Sequence, residues 1–380
     1  MGFADSVDVS LHGADGSIWN ISGPRSAHSP VVMVEGSVGD LFDAPATTHF
    51  KPRAGQAGTT YRGFRMEERN IILRVLIYAD SSTEWARIDS DFRRALDYDI
   101  QSELVVRSTM SGERRLKVRL SEAPAYQWEK DPHYYAASLV EFVVTAEDPF
   151  WYSAHEHDEF VFDGLNWYGG TVTVSNPGDV PTWPKWVLTA PAKFILPDVS
   201  FRDDDEKDRT IVLPFQPLGR EVLVDTDPLE ELITANDDTL LWAEMGGQFF
   251  QNPIPPRTPP TEIPVAVDPL PNLPVVLPPG WREWIASEVR RWAEKLGAEE
   301  VFNRTPRDVA EVIRAALTSP DRPRWLQALS DPILNFLGVD YIADRLVQAW
   351  GSTNNMAGAT AQVRVDHKWS RPWGMEQGGG

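Results

Sequence analysis

The sequence predicts a mainly β protein with an α-helical insertion, in which a split-barrel-like α+β unit precedes a β-sandwich. Three patterns support this fold class. Apolar residues alternate in short runs along most of residues 7–267, their spacing changes to three or four in 281–350, and alternation returns in 361–366. Because strands repeat every two residues and helices every 3.6, we expect strands, then helices, then a final strand.

The composition is that of a globular protein. The 380 residues are 42% hydrophobic and 24% charged, which is enough for two or three domains with separate cores. The chain has no cysteine, so disulfides, thiolate catalysis and thiolate metal sites are excluded. Its apolar runs are shorter than the 18 residues that a membrane-spanning helix requires, so we expect no membrane insertion.

The charge is strongly acidic and unevenly distributed. A net charge of -20 argues against nucleic acid as a partner, because binding to phosphates requires clustered Lys and Arg. Residues 141–280 hold 24 acidic and 7 basic residues, a net of -17, whereas 1–140 hold 19 and 16. The middle of the chain is therefore expected to be an acidic, water-facing body.

Residues 1–148 are expected to form the first unit. Alternating apolar runs predict strands at 7–11, 18–21, 31–34, 71–78, 104–106, 116–120 and about 133–145. The run at 71–78 is almost entirely apolar, which is typical of a strand covered on both faces. One helix is expected, with Ser82 or Thr83 as its cap. Its apolar face would consist of Trp85, Ile88, Phe92 and Leu96.

A stretch without periodicity interrupts these strands. Residues 42–61 are rich in Ala, Gly, Pro and Thr, so we expect a long loop there. Long loops in compact domains often make functional contacts. Phe42, Phe50 and Tyr61 are its candidate contact residues.

The first unit ends at a junction formed by Asp148 and Pro149. The residue before a proline is disfavoured in helical geometry, so the chain is expected to turn here. Three aromatic residues follow at once, namely Phe150, Trp151 and Tyr152. We interpret them as an aromatic latch that packs between the first unit and the second.

After the junction, strands return at the spacing of a β-sandwich. They are predicted at 170–174, 186–188, 194–196, 210–213, 221–224, 240–242 and 263–267. Residues 253–279 are rich in proline, which cannot donate to an interior ladder, so an edge strand followed by a stiff linker is expected. The sandwich is thus assigned to 149–280 plus 352–374, and the helical subdomain to 281–351.

Two clusters of polar residues suggest metal sites, and both have a simpler interpretation. His155 and His157 would share one face of a strand, but the sequence places no third ligand beside them. Residues 203–206 are all acidic but lack the spacing of a calcium-binding loop. No nucleophile elbow or paired carboxylates can be identified either. We expect no catalytic residues, metal or cofactor.

Aromatic residues of the sandwich leave two interpretations open. Trp167, Tyr168, Trp183 and Trp186 could stack on sugar rings, as aromatic residues of sugar-binding sandwiches do. The favoured interpretation is core packing, because large aromatic side chains mostly serve burial.

Taken in order, these features resemble the distal tail proteins of long-tailed bacteriophages, which are also described as minor tail or siphovirus-type tail components. The first unit matches in plan, and residues 147–151 are similar to the junction of that family. The second unit is similar to its galectin-like sandwich, with matching pieces at 176–184, 222–226 and 249–265. The resemblance covers about 280 residues and excludes the helical block.

The resemblance implies a structural virion protein made in the host cytoplasm and located at the tail tip or baseplate. Six copies would form a ring that contacts the tail tube protein and the tail-tip hub, with Phe42, Phe50 and Tyr61 among the candidate contacts. Receptor-binding proteins and host surface glycans are further candidate partners. The alternative is a carbohydrate-binding host-adhesion module on the sandwich.

Overall fold

The computed structural model describes residues 6–37, 39–52, 55, 57–127, 130–162, 169–189, 192–217, 219–230, 232–268 and 359–376. The predicted helical subdomain at 281–351 lies outside the described residues, as do Trp167 and Tyr168. No helix within these ranges is long and apolar enough to span a membrane.

The first half of the chain contains ten strands and two α-helices within the described ranges. They are β1 (Val7–His12), β2 (Ile18–Ser22), β3 (Val31–Met33), β4 (Ala46–Pro52), β5 (Thr59–Met66), β6 (Arg69–Tyr78), α1 (Ser82–Arg94), β7 (Ser102–Ser108), β8 (Gly112–Leu120), β9 (Ala125–Tyr126), α2 (Pro132–Tyr135) and β10 (Ala137–Ala146). The mainly β character and the single long helix agree with the sequence prediction.

Most of these strands form a barrel-like sheet. Its order is β2-β1-β7-β8-β10-β6-β3, and the two end strands β2 and β3 approach each other, so the sheet nearly closes. The longest pairing joins β6 to β10 along their full lengths, from Arg69 opposite Ala146 to Tyr78 opposite Ala137. Residues 71–78 were predicted to be covered on both faces; one face is buried and the other is only half-buried.

Helix α1 packs its apolar face on this sheet. Ser81 caps it, one residue before the predicted cap, because its side chain accepts a hydrogen bond from the Glu84 N–H at 3.3 Å. Three of the four residues predicted for its apolar face, namely Trp85, Ile88 and Phe92, are buried within the helix, whereas the fourth, Leu96, is buried beyond its end. Phe92 contacts Phe142 of β10 edge to face, with ring centroids 5.4 Å apart.

Residues 42–61 do not form the long loop that the sequence predicted. Strands β4 and β5 pair with each other in an antiparallel hairpin that is separate from the barrel sheet. The prediction was wrong because both strands lack a buried face, so no apolar alternation marks them. Residues 46–66 are called the hairpin below.

The second half contributes the strands of the sandwich, a 3-10 helix at Leu241–Glu244, and two short strands that join the barrel sheet beside β8. The two short strands are β11 (Trp151–Tyr152) and β21 (Lys368–Trp369), and those of the sandwich are β12 (Glu156–Val161), β13 (Gly170–Asn176), β14 (Lys185–Thr189), β15 (Lys193–Pro197), β16 (Thr210–Val212), β17 (Glu221–Asp225), β18 (Ile233–Ala235), β19 (Thr258–Asp268) and β20 (Thr360–Val365). The prediction of a strand at 240–242 is therefore wrong, since residues 241–244 form a 3-10 helix.

Two sheets pack around one core in this half. One has the order β12-β20-β14-β17-β18 and the other β13-β19-β15-β16. Both sheets contribute side chains to the same apolar cluster, including Val172, Trp186 and Phe194. The predicted strand at 361–366 is present as β20 and lies between β12 and β14.

The proline-rich strand β19 is an interior strand, although an edge strand was predicted. Its prolines are tolerated because β19 has one partner at a time: residues 258–265 pair with β13, and 266–268 pair with β15. Pro264 lies opposite Thr171 in the half that has no second neighbour, so its missing N–H breaks no ladder on the other side.

Candidate interaction surface and the junction of the two β units

Asp148 organises the predicted junction through both carboxylate oxygens. Its Oδ1 accepts a hydrogen bond from the Phe150 N–H at 3.0 Å, which fixes the turn around Pro149. Its Oδ2 accepts from the Tyr152 hydroxyl and from Lys368 Nζ, the latter at 3.2 Å. Burial, reinforced by the nearby Asp148 charge, raises the pKa of Tyr152 well above its usual value, so the phenol remains a donor at neutral pH.

The three aromatic residues of the junction differ in their positions. Trp151 is fully buried and belongs to the apolar cluster of the first unit, whereas Phe150 is half-buried. Strand β11 pairs with β21, which places Trp151 opposite Trp369, and also with β8, which places Tyr152 opposite Arg115. Trp151 therefore extends the first core, rather than covering the second unit.

Arg69, at the start of β6, is fully buried and connects three separate segments. Its guanidinium donates from Nε and Nη2 to the Pro149 carbonyl at 2.9 and 2.6 Å, and from Nη2 to the Ser370 carbonyl at 2.9 Å. Nη1 donates to the carbonyls of Asp40 and Leu41. Burial lowers the pKa of Arg69 to about 10. Because this value is still well above neutral pH, the guanidinium remains charged and keeps its hydrogen-bond donors.

Arg114 of β8 is a second fully buried arginine. It donates to the carbonyls of Arg371 and Gly374, each at 2.8 Å, and to Glu376 Oε1 at 2.6 Å. Its guanidinium carbon lies 3.8 Å from the centroid of the Trp369 ring, a cation–π contact. Burial lowers the pKa of Arg114 to about 10.

Neither arginine was predicted as a junction residue, although the sequence of β8 contains one signal. Arg114 is in phase with Leu116, Val118 and Leu120, which point into the core from β8. A charged residue at an inward position must find partners, because an unpaired buried charge is costly. That phase could have identified Arg114; Arg69, at the end of its strand, carries no comparable signal.

Both arginines bind residues 366–376, which we call the return segment: Arg69 through Ser370, and Arg114 through Arg371, Gly374 and Glu376. It starts directly after β20 and includes β21. On the sandwich side, Asp179 accepts hydrogen bonds from the Ser370 N–H, at 2.8 Å, and from its hydroxyl. The Thr182 hydroxyl donates to the Asp366 carbonyl at 2.7 Å. The segment is thus held by both units.

Residues 176–179, which contributed to the family resemblance, shape the surface under the return segment. The Asn176 side chain accepts from the Gly178 N–H at 3.0 Å and donates to the Val180 carbonyl at 2.9 Å, so it holds a tight turn. A Cβ atom at Gly178 would lie 2.2 Å from the Lys368 carbonyl oxygen. Glycine is therefore required here by the close approach of the return segment.

The three residues predicted as a contact loop do not lie together. Phe50 and Tyr61 are opposite each other in the hairpin, with ring centroids 5.8 Å apart, and are 55% and 54% exposed. Phe64 of β5 is also 58% exposed. Phe42 packs instead on Trp373 of the return segment, at 5.2 Å between centroids. The candidate contact surface is therefore the hairpin without Phe42.

One of the residues proposed to stack on sugar rings, Trp186, is not accessible to a ligand. Trp186 is fully buried in the sandwich core, so neither face of its ring is available to a ligand. Trp183 is half-buried. Within the described residues, no group of three or more His, Asp or Glu side chains could hold a metal ion.

Comparison with known proteins finds two phage proteins whose sequences are similar to this chain. No protein-family model matches the chain. Over 300 residues it is 27% identical to the minor tail protein Gp27 of Mycobacterium phage L5, an alignment that covers 66% of this chain and 88% of that protein. Gp27 of Mycobacterium phage D29 is 26% identical over the same length and coverage. The chain is similar to phage minor tail proteins.

Solved structures show a weaker likeness. The Dit protein (gp 19.1) of phage SPP1, described as a hub of the adsorption apparatus, matches with a TM-score of 0.47 and 13% identity. The match covers 68% of this chain and 94% of that one. A chain of the phage P2 baseplate, in its activated conformation with calcium, matches with a TM-score of 0.41 and 12% identity, covering 70% and 96%. The resemblance to tail proteins of long-tailed phages is confirmed by the two mycobacteriophage relatives.

Proposed function

We propose that this chain is a non-enzymatic, structural subunit of a phage tail tip, where it forms a ring that connects the tail tube to the hub and to peripheral adsorption proteins. The observation that carries the proposal is the similarity to two minor tail proteins, which extends over 300 residues and most of their length. A relationship that covers 66% of this chain concerns far more than one local motif.

We assign a different role to each of the two parts of the chain that contain a separate apolar core. One apolar cluster is built mainly from residues of 1–148, and the other from residues of the sandwich. We assign ring formation to the first unit, 1–148, and the outward position to the sandwich of 149–280 plus 352–374, which carries the insertion 281–351. The sandwich is the more acidic part, and strong like charge keeps exposed bodies apart in water.

The hairpin is the proposed contact between neighbouring subunits or with the tube. A two-stranded ribbon is marginally stable in water by itself, and this one exposes Phe50, Tyr61 and Phe64 without a covering layer within the described residues. Residues 46–66 contain four basic residues and no acidic residue, in a chain of net charge -20. A basic, aromatic ribbon is suited to an acidic neighbour, and repeated head-to-tail contacts of this kind close into rings.

Light scattering on the purified chain tests the ring. We expect a mass of six times 42.7 kDa, or a mass that rises with concentration. The triple variant Phe50→Ser, Tyr61→Ser, Phe64→Ser should remain at the monomer mass with an unchanged circular dichroism spectrum, because none of these side chains belongs to either of the two described apolar cores.

A matched control separates the hairpin from exposed aromatic residues in general. Tyr134 of α2 is 81% exposed and lies outside the hairpin, so Tyr134→Ser should associate like the wild type. A wild-type chain that stays monomeric at high concentration, or a triple variant that associates normally, would refute the assignment of the hairpin. Labelling this chain in intact particles tests its position: a label away from the tail tip would refute the proposed location.

A further inference from the structure

The core of the first unit is completed by residues that lie far beyond it in the sequence. Its apolar cluster runs from Val9 to Ala146 and then includes Trp151 and Trp369. Trp373 is partly buried and packs against the same cluster. The hydrogen bond from Arg69 to the Ser370 carbonyl joins residues that are 301 positions apart. The first unit therefore depends on the return segment for part of its interior.

Arg114 makes this dependence stronger than apolar burial alone. All of its hydrogen bonds within the described residues are to Arg371, Gly374 and Glu376, and its cation–π partner is Trp369. Without the return segment, a guanidinium at an inward position of β8 would lose every one of these partners. Leaving a charge without partners at a buried position is strongly destabilising.

The return segment can reach the first unit only from the sandwich. It follows β20, which lies between β12 and β14 in the five-stranded sheet. Asp179 and Thr182 of the sandwich then fix Ser370 and Asp366, and β21 pairs with β11 beside β8. The geometry of docking thus presupposes that the sandwich has already formed.

We infer that the return segment is a strap that closes the first unit after the sandwich has folded, so that the unit synthesised first becomes stable last. Chains usually fold domain by domain from the N-terminus during synthesis, and here the order is reversed. The hairpin-bearing unit would consequently reach its final form only when the sandwich is present. The inference does not depend on the proposed function, because it concerns folding of a single chain.

Synchronised cell-free synthesis of the full chain, sampled with short trypsin pulses, tests the order. We expect a trypsin-resistant fragment of the first unit to appear only when chains have been extended beyond residue 376. Sandwich fragments should become resistant at the same time or earlier. A resistant first unit in nascent chains that end before residue 360 would overturn the inference.

Hydrogen exchange on the purified full chain tests the dependence itself. In Trp369→Ala, amide exchange in β6 and β10 should accelerate about tenfold or more, because the strap loses its core residue and its contact with Arg114. Exchange in β14 and β17 of the sandwich should be unchanged. The matched control is Trp242→Ala, since Trp242 is 59% exposed on the sandwich, and it should leave all four strands as in the wild type.

Two results of that experiment would refute the strap. Unchanged exchange in β6 and β10 would show that the first unit closes without it. Equal acceleration in all four strands would show that the two units fold together rather than in order. If Trp369→Ala does not accumulate, Trp369→Phe keeps an apolar ring in place and should produce the same pattern with a smaller change.

Discussion

The junction and the hairpin are built from the same kinds of residue and have opposite environments. Both combine aromatic and basic side chains, yet Trp151, Arg69 and Arg114 are fully buried, whereas Phe50 and Tyr61 are more than half exposed. At the junction, Arg69 and Arg114 donate to carbonyls of the same chain, and Trp151 packs in its first core. Among the residues that the structure describes, the hairpin strands pair only with each other, and we propose that another molecule covers their apolar surface.

This difference separates two roles of aromatic residues in a structural protein. We propose that the buried aromatic residues set the internal geometry of the chain and that the exposed ones set its associations. Changes at the junction should therefore alter the stability of the chain, while changes in the hairpin should alter association with little effect on stability. The three predictions below test this contrast, from the largest effect to the smallest.

The largest effect is expected for Trp151→Ala. Removing a fully buried indole from the first core leaves a cavity that costs about 3–5 kcal/mol of the free energy of unfolding. Differential scanning calorimetry should show a lower transition temperature for the first unit. The neighbouring Phe150 is half-buried, so Phe150→Ala is the control and should cost clearly less. Equal losses in both variants would mean that Trp151 is not the core residue of this pair.

A smaller loss is expected for Arg69→Lys. The substitution keeps the positive charge but removes the planar fork that donates to Pro149, Ser370, Asp40 and Leu41. Several of these carbonyls would lose their donor, and we expect a cost of about 2–4 kcal/mol in chemical denaturation.

The exposed Arg87 offers a control with the same chemical change. Its guanidinium forms an ion pair with Asp91 one turn along α1, and its side chain is 67% exposed. Arg87→Lys should therefore change the free energy of unfolding by no more than about 0.5 kcal/mol. If Arg69→Lys were as mild as Arg87→Lys, then the charge of Arg69, rather than its fork of donors, would be what the fold requires.

The sequence predicted the regions that have an apolar period and missed those that lack one. Helix α1 was expected because Trp85, Ile88 and Phe92 recur on one face, and β20 because its residues alternate. The hairpin has no buried face, so its strands left no periodic signal. Their pairing is made by backbone groups, which are the same in every sequence.

The sequence predicted a turn at the junction, but the partners of the junction residues could not be predicted. Asp148 and Pro149 mark a turn by their own chemistry. Arg69 and Arg114 both bind backbone carbonyls of the return segment, whose only regular element is the two-residue strand β21. Contacts across 301 positions between side chains and carbonyls leave no local pattern, so the sequence did not predict that Trp151 lies in the first core opposite Trp369.

The smallest effect on stability is expected for Phe64→Ser in the hairpin. Phe64 is 58% exposed and lies opposite Thr48 in the ribbon, so the free energy of unfolding should change by no more than about 0.5 kcal/mol. The matched substitution Phe142→Ser, which places a hydroxyl in the first core, should prevent a cooperative transition. A loss above about 1 kcal/mol for Phe64→Ser would mean that the hairpin packs on its own chain, and the contrast between the hairpin and the junction would then no longer hold.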